Sequence, residues 1–325
     1  MENAAKKEVI ISPVKGSNLK GKLEEMLQKI GFKGKGRVLV KPNMCMAKYV
    51  PGAVTSPLLI YSLVKLLRET AEDVIVGESD GYNYSCSLAF KKTGMRKAAE
   101  KAGGRVLNLS RDKLVQINFD VSKVRKLFLP KTLFEVDSII NVPVLKTHEF
   151  TLYSGAMKNL FGLIPDRKRI FLHPHIDEVL FKLWKLAKPK VTIMDALTAM
   201  EKNGPTRGSP VKMNLILVSE CPLALDLVAT EIIGLNWREI SHLNYMVQKT
   251  SIDRQTIKVT GFKAEYYRKF VLPTIDLPIK LQWKIYEYAS LTKLIFSCPE
   301  LTKILQKIVL CYRNLKGSHL ANALS

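Results

Sequence analysis

The chain has 325 residues, of which 47% are hydrophobic, and a formal net charge of +22 at pH 7. This apolar content argues against an intrinsically disordered chain, and the lack of any run of eighteen uncharged apolar residues argues against a transmembrane helix. Five scattered cysteines, without a C-x-x-C pair, lead us to expect no iron–sulfur cluster within the chain. With no signal-peptide pattern, they also lead us to expect a cytoplasmic protein.

The basic charge is spread along the chain, with local clusters at Lys91-Lys92 and Arg167-Lys168-Arg169. Such a field attracts phosphates, carboxylates, nucleic acid or anionic lipid. A solvated basic surface without a partner is the plainer interpretation. Charge alone therefore does not select the ligand.

Strand and helix patterns alternate along the first 110 residues. The predicted strands are Glu8–Ser12, Arg37–Val40, Val74–Gly77 and Arg105–Leu109, and the predicted helices are Leu19–Ile30, Leu58–Leu67 and Leu88–Ala102, the last with an interruption around Gly94. This alternation is typical of a mostly parallel sheet flanked by helices.

The second half continues the α/β pattern after an alternating stretch that predicts a hairpin or an edge extension. That stretch is Gln116–Leu129, and the later predicted elements are strands at Ser138–Leu145, Lys190–Met194, Leu215–Val218 and Thr256–Val259 and a helix at Pro222–Ile233. We therefore predict an α/β domain over residues 1–262 and a helical C-terminal extension over residues 263–325.

The extension carries amphipathic helix patterns at Leu281–Tyr288, Leu291–Ile295 and Leu301–Tyr312. We expect a helical lid packed on the main domain. Attachment to an anionic membrane surface, with lysines beside an apolar face, is one alternative, and a homodimer contact is another.

Two predicted strands end in short polar segments. Lys41, Pro42 and Asn43 follow the second strand, where proline stops further pairing, and Glu78 follows the third. Because ligand crevices form outside the carboxyl ends of parallel strands, these side chains are expected to face one crevice. Ordinary strand-ending turns are the alternative interpretation of both segments.

Lys146 and His148 follow the apolar run that begins at Ser138, and on extended backbone they share one face. A lysine beside an imidazole tends to keep the imidazole neutral, which favours a general-base or ligand role. The histidines of His173-Pro174-His175 could bind a metal, although this spacing is not specific without a third ligand.

A small-residue helix start, Ser154-Gly155-Ala156, leaves backbone N–H groups open to an anion. Lys158 and Asn159 lie in the first turns of that helix. This combination predicts a phosphate or carboxylate site rather than a zinc site.

Asp195 ends a further predicted strand and precedes a loop that contains Asn203 and Gly204. The glycines and proline of this loop indicate a tight turn that could lie over a ligand. We expect Asp195 or Glu78 to orient His148 or to hold a divalent metal, whose ligands stay undetermined.

Together, these segments resemble the domain of unknown function family numbered 362. The matching elements are Lys41-Pro42-Asn43, Gly77-Glu78-Ser79, Thr93-Gly94, Asp137 through Lys146-Thr147-His148, Gly155 through Gly162, Asp195-Ala196, Met200 through Pro205, Gly208 and Leu225-Asp226. Many members resemble iron–sulfur proteins because they carry clustered cysteines, a segment that this chain lacks. A fainter likeness to the lactate racemase family carries no residue over.

These features predict an enzyme acting on a small anionic substrate, either a carboxylate or a phosphate. The catalytic candidates are His148, Lys146, Asp195 and Glu78, and the substrate-binding candidates are Lys41, Asn43, Lys158, Asn159, Asn203 and Gly204. Proton abstraction, isomerisation and group transfer all stay open. The alternatives are an electron-transfer protein partnering a cluster-bearing subunit and a basic nucleic-acid-binding protein.

Overall fold

The structure is a computed structural model that describes residues 7–14, 18–122, 124–298, 300–302, 304–305, 307–309 and 311–312, with backbone only at 167, 168, 289 and 296. The chain divides into two compact units. The first consists of Met1–Arg167 and His175–Thr274, and the second of Lys168–Pro174 and Ile275–Ser325. Parts of the predicted domains, at residues 1–6 and 313–325, lie outside the described residues.

Twelve strands occur among the described residues of the first unit. They are β1 (Glu8–Pro13), β2 (Arg37–Pro42), β3 (Asp73–Glu78), β4 (Arg105–Asn108), β5 (Leu114–Val121), β6 (Val124–Pro130), β7 (Ser138–Val142), β8 (Val144–His148), β9 (Leu152–Ser154), β10 (Val191–Glu201), β11 (Ser209–Ser219) and β12 (Lys258–Thr260).

Among the described residues, α-helices lie in six of the eleven connections between strands and also follow β12. They are α1 (Leu19–Lys29), α2 (Pro57–Leu67), α3 (Cys86–Lys92), α4 (Met95–Lys101), α5 (Thr132–Glu135), α6 (Ala156–Asn159), α7 (Ile176–Ala187), α8 (Pro222–Ile232), α9 (Ser241–Lys249), α10 (Leu277–Glu287) and α11 (Ala289–Ser297).

One large sheet runs in the order β12-β1-β11-β10-β7-β2-β3-β4, with β8 and β9 attached through β10. The pairings of β7, β2, β3 and β4 are all parallel, and β11 runs antiparallel to both β1 and β10. The predicted fold class, a mostly parallel sheet flanked by helices with a helical C-terminal extension, is confirmed.

Apolar side chains pack on both faces of this sheet. Leu59 and Leu63 of α2 belong to the same buried cluster as Val38 and Val40 of β2. On α8, every residue except Glu231 is buried. Parallel strands covered on both faces read as continuous apolar runs, as these do.

The order of the strands changes sides between β2 and β7, which makes this the topological switch point of the sheet. From β2 the chain adds β3 and β4 on one side, and β7 later pairs with β2 on the other side. In open α/β sheets, ligands bind outside the carboxyl ends of the strands at such a switch point. The ends of β2, β3 and β7 are therefore the place where a site is expected.

Two parts of the sheet differ from the sequence-based predictions, and the interruption predicted around Gly94 is present. Pro143 divides the predicted strand at Ser138–Leu145 into β7 and β8, because proline cannot donate to the ladder. Gly94, with φ of 78°, separates α3 from α4. Strands β10 and β11 are longer than predicted and form an antiparallel pair.

The first unit extends past the domain boundary predicted at residue 262. Backbone N–H groups of Arg268 and Phe270 donate to the carbonyls of Ile232 and Ile233, at 2.9 and 3.0 Å. The N–H of Lys202 donates to Val271 O at 2.8 Å. These bonds join the segment after β12 to the main unit, so the compact unit ends at Thr274.

The described part of the second unit consists mainly of short helices. After α10 and α11, the described residues from 300 to 312 are also helical. None of the helices in the described part of the chain has the length and apolarity needed to cross a membrane.

Candidate functional site

A buried ion pair lies at the carboxyl ends of β2 and β3. Lys41 Nζ is 2.8 Å from Glu78 Oε2, and the two side chains are 1% and 2% exposed. Lys41 Nζ also donates to Pro42 O at 3.0 Å, and Glu78 Oε1 accepts from Ser79 N at 2.9 Å. Partners on both sides offset the cost of burying the two charges.

Amide side chains extend this pair into a hydrogen-bond network. Asn159 Oδ1 lies 3.4 Å from Lys41 Nζ, and Asn159 Nδ2 donates to Asn141 Oδ1 at 2.8 Å. Asn141 Nδ2 in turn donates to Ala156 O at 2.9 Å. The network joins α6 to β2 and β7. Sequence reasoning did not single out Asn141, although a polar residue inside the apolar run Ile139-Ile140-Asn141-Val142 was the available signal.

Gly162 lets the turn after α6 lie directly against the ion pair. A Cβ at this position would collide with Glu78 Oε1 and would lie 2.7 Å from Lys41 Nζ. Because only glycine leaves this space open, the turn closes over the pair.

Lys146 of β8 is buried near the same pair, with 1% of its surface exposed. Its Nζ donates to Ala53 O at 2.8 Å. Burial lowers the pKa of Lys146; the nearby Lys41 charge lowers it further, while Cys45 and Glu78 oppose the shift. The neutral amine form is therefore more favoured for Lys146 than for an exposed lysine.

Cys45 is a neighbour of Lys146 that sequence reasoning left out of the site. It is half-buried, and its Sγ donates to Ala53 O at 3.2 Å, the same carbonyl that Lys146 uses. Burial raises the pKa of the Cys45 thiol, and the charge of Lys146 opposes that shift. Its position after Lys41-Pro42-Asn43 was the only signal in the sequence.

Asn43 and Asp195 hold the segment between β2 and α2 in place. Asn43 Nδ2 donates to Ala53 O at 2.6 Å. Asp195 accepts from Ser56 N at 2.7 Å and from Leu197 N at 3.1 Å, and burial raises its pKa to about 6. Both carboxylate oxygens of Asp195 are thus used on backbone N–H groups. The expectation that Asp195 orients His148 does not match these contacts.

His148 and Lys146 both lie in β8. His148 Nδ1 accepts from Phe150 N at 3.1 Å, and the residue is 7% exposed. The Glu78 carboxylate, the second candidate for orienting His148, is bonded to Lys41 and Ser79 instead. The structure thus places the histidine on the same strand as Lys146, whereas the contacts given above for Glu78 and Asp195 go to other groups.

Lys158 has different surroundings from Lys41 and Lys146. Its Nζ lies 6.0 Å from the centre of the Phe161 ring. Burial lowers the pKa of His242 to about 3, and the charge of Lys158 adds to this shift. Lys158 therefore lies close to His242 on α9, a histidine that the sequence-based site did not include.

Asn203 and Gly204 shape the loop after β10. Asn203 Nδ2 donates to Thr274 O at 2.8 Å, and Asn203 Oδ1 accepts from Thr274 N at 3.3 Å. Gly204 O accepts from Glu149 N at 2.9 Å, and a Cβ on Gly204 would collide with Thr147 O. Asn203 thus anchors the end of the first unit and does not join the Lys41–Glu78 network, while Gly204 lies against β8.

Asp226 of α8 holds the start of α6. Its Oδ1 accepts from Tyr153 Oη at 2.8 Å and from Ala156 N at 2.7 Å, and its Oδ2 accepts from Met157 N at 2.8 Å. Burial raises its pKa to about 7, which these hydrogen bonds oppose. The N–H groups expected to bind an anion at this helix start are therefore bonded to a side chain of the protein.

Among the described residues, no group of three or more His, Cys, Asp or Glu side chains is arranged to hold a metal ion. The two described carboxylates considered for that role, Glu78 and Asp195, have the separate partners given above. Within the described part of the chain, Cys45, Cys86, Cys221, Cys298 and Cys311 form no disulfide.

Comparison with known proteins places these residues in a family. A model of the domain of unknown function DUF362 matches residues 38–231. The thylakoid-associated protein sll1697 of Synechocystis sp. (strain ATCC 27184 / PCC 6803 / Kazusa) is 26% identical over 233 residues, which cover 67% of this chain and 71% of that protein.

Among solved structures, the lactate racemase apoprotein from Thermoanaerobacterium thermosaccharolyticum is similar at 15% identity, with a TM-score of 0.43. The match covers 70% of this chain and 52% of that one, so the chain spans about half the length of that protein. So loose a likeness carries no argument about function. The family model, in contrast, covers more than half of the chain and includes the Lys41–Glu78 pair, Lys146, Asn159, Asp195 and Asp226. The chain therefore belongs to the DUF362 family.

Proposed function

We propose that this chain is an enzyme that binds a small carboxylate or phosphate at the switch point of the sheet and uses Lys146 to accept a proton from it. The observation that carries the proposal is the state of Lys146. Its Nζ is buried and donates a hydrogen bond to Ala53 O, and burial lowers its pKa. Lysines shifted in this way toward the neutral amine serve as general bases in enzymes.

An anion is the substrate class that this environment favours. A buried lysine gains protons more readily when a negative group approaches, because the opposite charge stabilises the ammonium form. Lys41 is not sufficient to balance the charge of a bound anion, because Glu78, 2.8 Å away, already neutralises it. The surrounding net charge of +22 attracts anions from solution.

Six other candidates have supporting roles in this proposal. The Lys41–Glu78 pair and Asn159 form a rigid buried base for the site, since each side chain is hydrogen-bonded to the next. Asn43 and Asp195 hold the segment that carries Ala53, the acceptor of Lys146. His148, on the same strand as Lys146, is the candidate second acid or base.

Proton abstraction is tested by exchange in D₂O. Purified protein is incubated with lactate and other small hydroxy acids, and loss of the proton next to the carboxylate is followed by NMR. Wild type and Lys97→Met, a control at an exposed lysine of α4, are expected to catalyse exchange of at least one acid. Lys146→Met is expected to lose that activity.

Ligand binding is tested separately by thermal unfolding with phosphate, pyrophosphate and the same acids. Wild type and the Lys97→Met control are expected to gain stability with the ligand, and Lys146→Met to gain much less. Equal ligand-induced shifts in all three proteins, or no exchange with any acid of the panel, would contradict the proposed role of Lys146.

The two alternative functions stay predictions. Stoichiometric iron and sulfide in anaerobically purified protein would favour the electron-transfer alternative. Retention of oligonucleotides that falls steeply with salt would favour the nucleic-acid alternative.

A further inference from the structure

The helices of the second unit repeat a ten-residue pattern. Thr292 Oγ1 donates to Ile285 O at 2.6 Å, and Thr302 Oγ1 donates to Ile295 O at 3.0 Å. In both cases the hydroxyl reaches back seven residues, from the first turn of one helix to the end of the helix before it. The threonine hydroxyl thereby satisfies a terminal carbonyl of the preceding helix. Consecutive short helices are therefore connected by the same kind of turn.

Apolar side chains are exposed along all of these helices. Leu294 is 68% exposed and Ile308 is 58% exposed. The other exposed large apolar residues of the unit are Ile275, Leu277, Leu281, Tyr288, Leu291, Leu301 and Ile304. Single exposed apolar residues are ordinary, but a concentration of them marks an interaction surface. These nine residues are called the apolar face of the second unit.

Exposed lysines are interspersed with this apolar face. Lys280, Lys284, Lys293 and Lys307 are exposed on the same helices. Between residues 275 and 312 the sequence has five lysines and three carboxylates. A helix that combines exposed leucines with lysines is suited to the boundary between lipid headgroups and acyl chains.

Charge distinguishes an anionic bilayer from a second copy of this chain as the occupant. Two copies facing each other through this surface would bring like-charged lysines together. Anionic lipid headgroups instead attract each lysine, while leucine and isoleucine side chains enter the apolar boundary. The described helices are also too short to cross the bilayer, so they would lie in its plane.

We propose that the apolar face of the second unit docks on the surface of an anionic phospholipid bilayer. The leucine and isoleucine side chains enter the headgroup boundary, and the lysines contact the lipid phosphates. This inference is independent of the proposed chemistry at Lys146.

The test is co-sedimentation of the full-length chain with vesicles of phosphatidylcholine alone or of equal parts phosphatidylcholine and phosphatidylglycerol. Wild type is expected to bind the anionic vesicles at least tenfold more tightly than the neutral ones, and raising the salt is expected to weaken that binding. The double variant Leu294→Gln/Ile308→Gln is expected to bind at least tenfold more weakly than wild type. Leu58→Gln, at a leucine of α2 that is 59% exposed, is the matched control and is expected to bind like wild type.

Circular dichroism and thermal unfolding show whether the double variant is folded. If it is not, the double variant Lys284→Gln/Lys293→Gln, which changes only exposed lysines, provides the same comparison. Undiminished binding by a folded variant, equal binding to neutral vesicles, or no binding by wild type would overturn the proposal. So would a dimer, seen by light scattering, that the double variant abolishes without any change in vesicle binding.

Discussion

The buried Lys41–Glu78 pair gives the sharpest test of how the site is built. Lys41→Met removes one charge and leaves Glu78, which is 2% exposed, without its cation. Removing one partner of a buried pair costs about 3–5 kcal/mol, because the remaining charge stays desolvated. Glu78→Gln is expected to cost a similar amount, although its amide oxygen can still accept from Ser79 N.

The double variant Lys41→Met/Glu78→Gln is expected to be less destabilised than the sum of the two single variants by about 2 kcal/mol or more. The physical reason is that neither variant residue carries a charge that needs a partner. Urea unfolding at pH 7 and 25 °C measures all four free energies, provided that each protein unfolds in one transition.

Arg105 and Asp73 supply a control cycle within the same sheet. Their ion pair is 2.9 Å long, but the side chains are 49% and 33% exposed. Exposed pairs contribute about 0–1 kcal/mol, so the coupling between Arg105→Met and Asp73→Asn is expected to be small. Equal coupling in the buried and exposed cycles would refute the reasoning. If the buried double variant is stable but has lost its response to ligands, the pair also contributes to the site.

Three further changes test individual side chains. Lys146→Met is expected to be at least as stable as wild type at pH 7, because it removes a buried group whose pKa is lowered. Because the pKa of Lys146 is lower in the folded protein than the ordinary 10.5, wild type should gain stability as pH rises toward 10.5. The urea midpoint of wild type minus that of the variant should therefore increase from pH 7 to pH 10. A difference that does not change with pH would contradict this. Asp226→Asn is expected to reduce stability by about 1–3 kcal/mol. Asparagine has one side-chain oxygen, which cannot accept from Tyr153 Oη, Ala156 N and Met157 N as well as the two oxygens of Asp226 do. Thermal unfolding checks this loss, and an unchanged melting temperature would show that Asp226 does not hold α6. The nitrogens of His242 have no hydrogen-bond partner among the described residues, and its pKa is lowered to about 3. As pH falls below about 6.5, the ordinary pKa of histidine, wild type should therefore lose up to about 1.4 kcal/mol of stability per pH unit. His242→Leu should remove that acid-side loss, and parallel urea midpoints of the two proteins between pH 7.5 and 5 would show that the histidine is not buried in its neutral form.

Local sequence patterns were sufficient to predict the parallel core of the fold. Strands β2, β3 and β4 and the helices between them follow from apolar periodicity and from the prolines and glycines that end each element. Lys41 and Glu78 could be placed at strand ends for the same reason. These features depend on residues close together in the chain, where spacing alone carries the information.

The order and direction of the strands were decided by tertiary packing. Nothing in the apolar run of β11 shows that it pairs antiparallel with both β1 and β10. Likewise, the segment up to Thr274 belongs to the main unit because of backbone bonds to Ile232, Ile233 and Lys202. Backbone hydrogen bonds carry no side-chain signature, so the sequence does not reveal them.

The partners of the polar side chains were also decided only by the fold. Lys41 and Asn159 are 118 residues apart, Lys146 and Ala53 are 93 apart, and Asp195 is 139 from Ser56. The sequence identified Lys146, Lys158 and Asp195 as candidate functional groups. It could not show that Lys146 is buried with no carboxylate partner among the described residues. It also could not show that Asp195 binds backbone N–H groups. Burial and neighbouring charge set the pKa of each group, and both exist only after distant segments pack together.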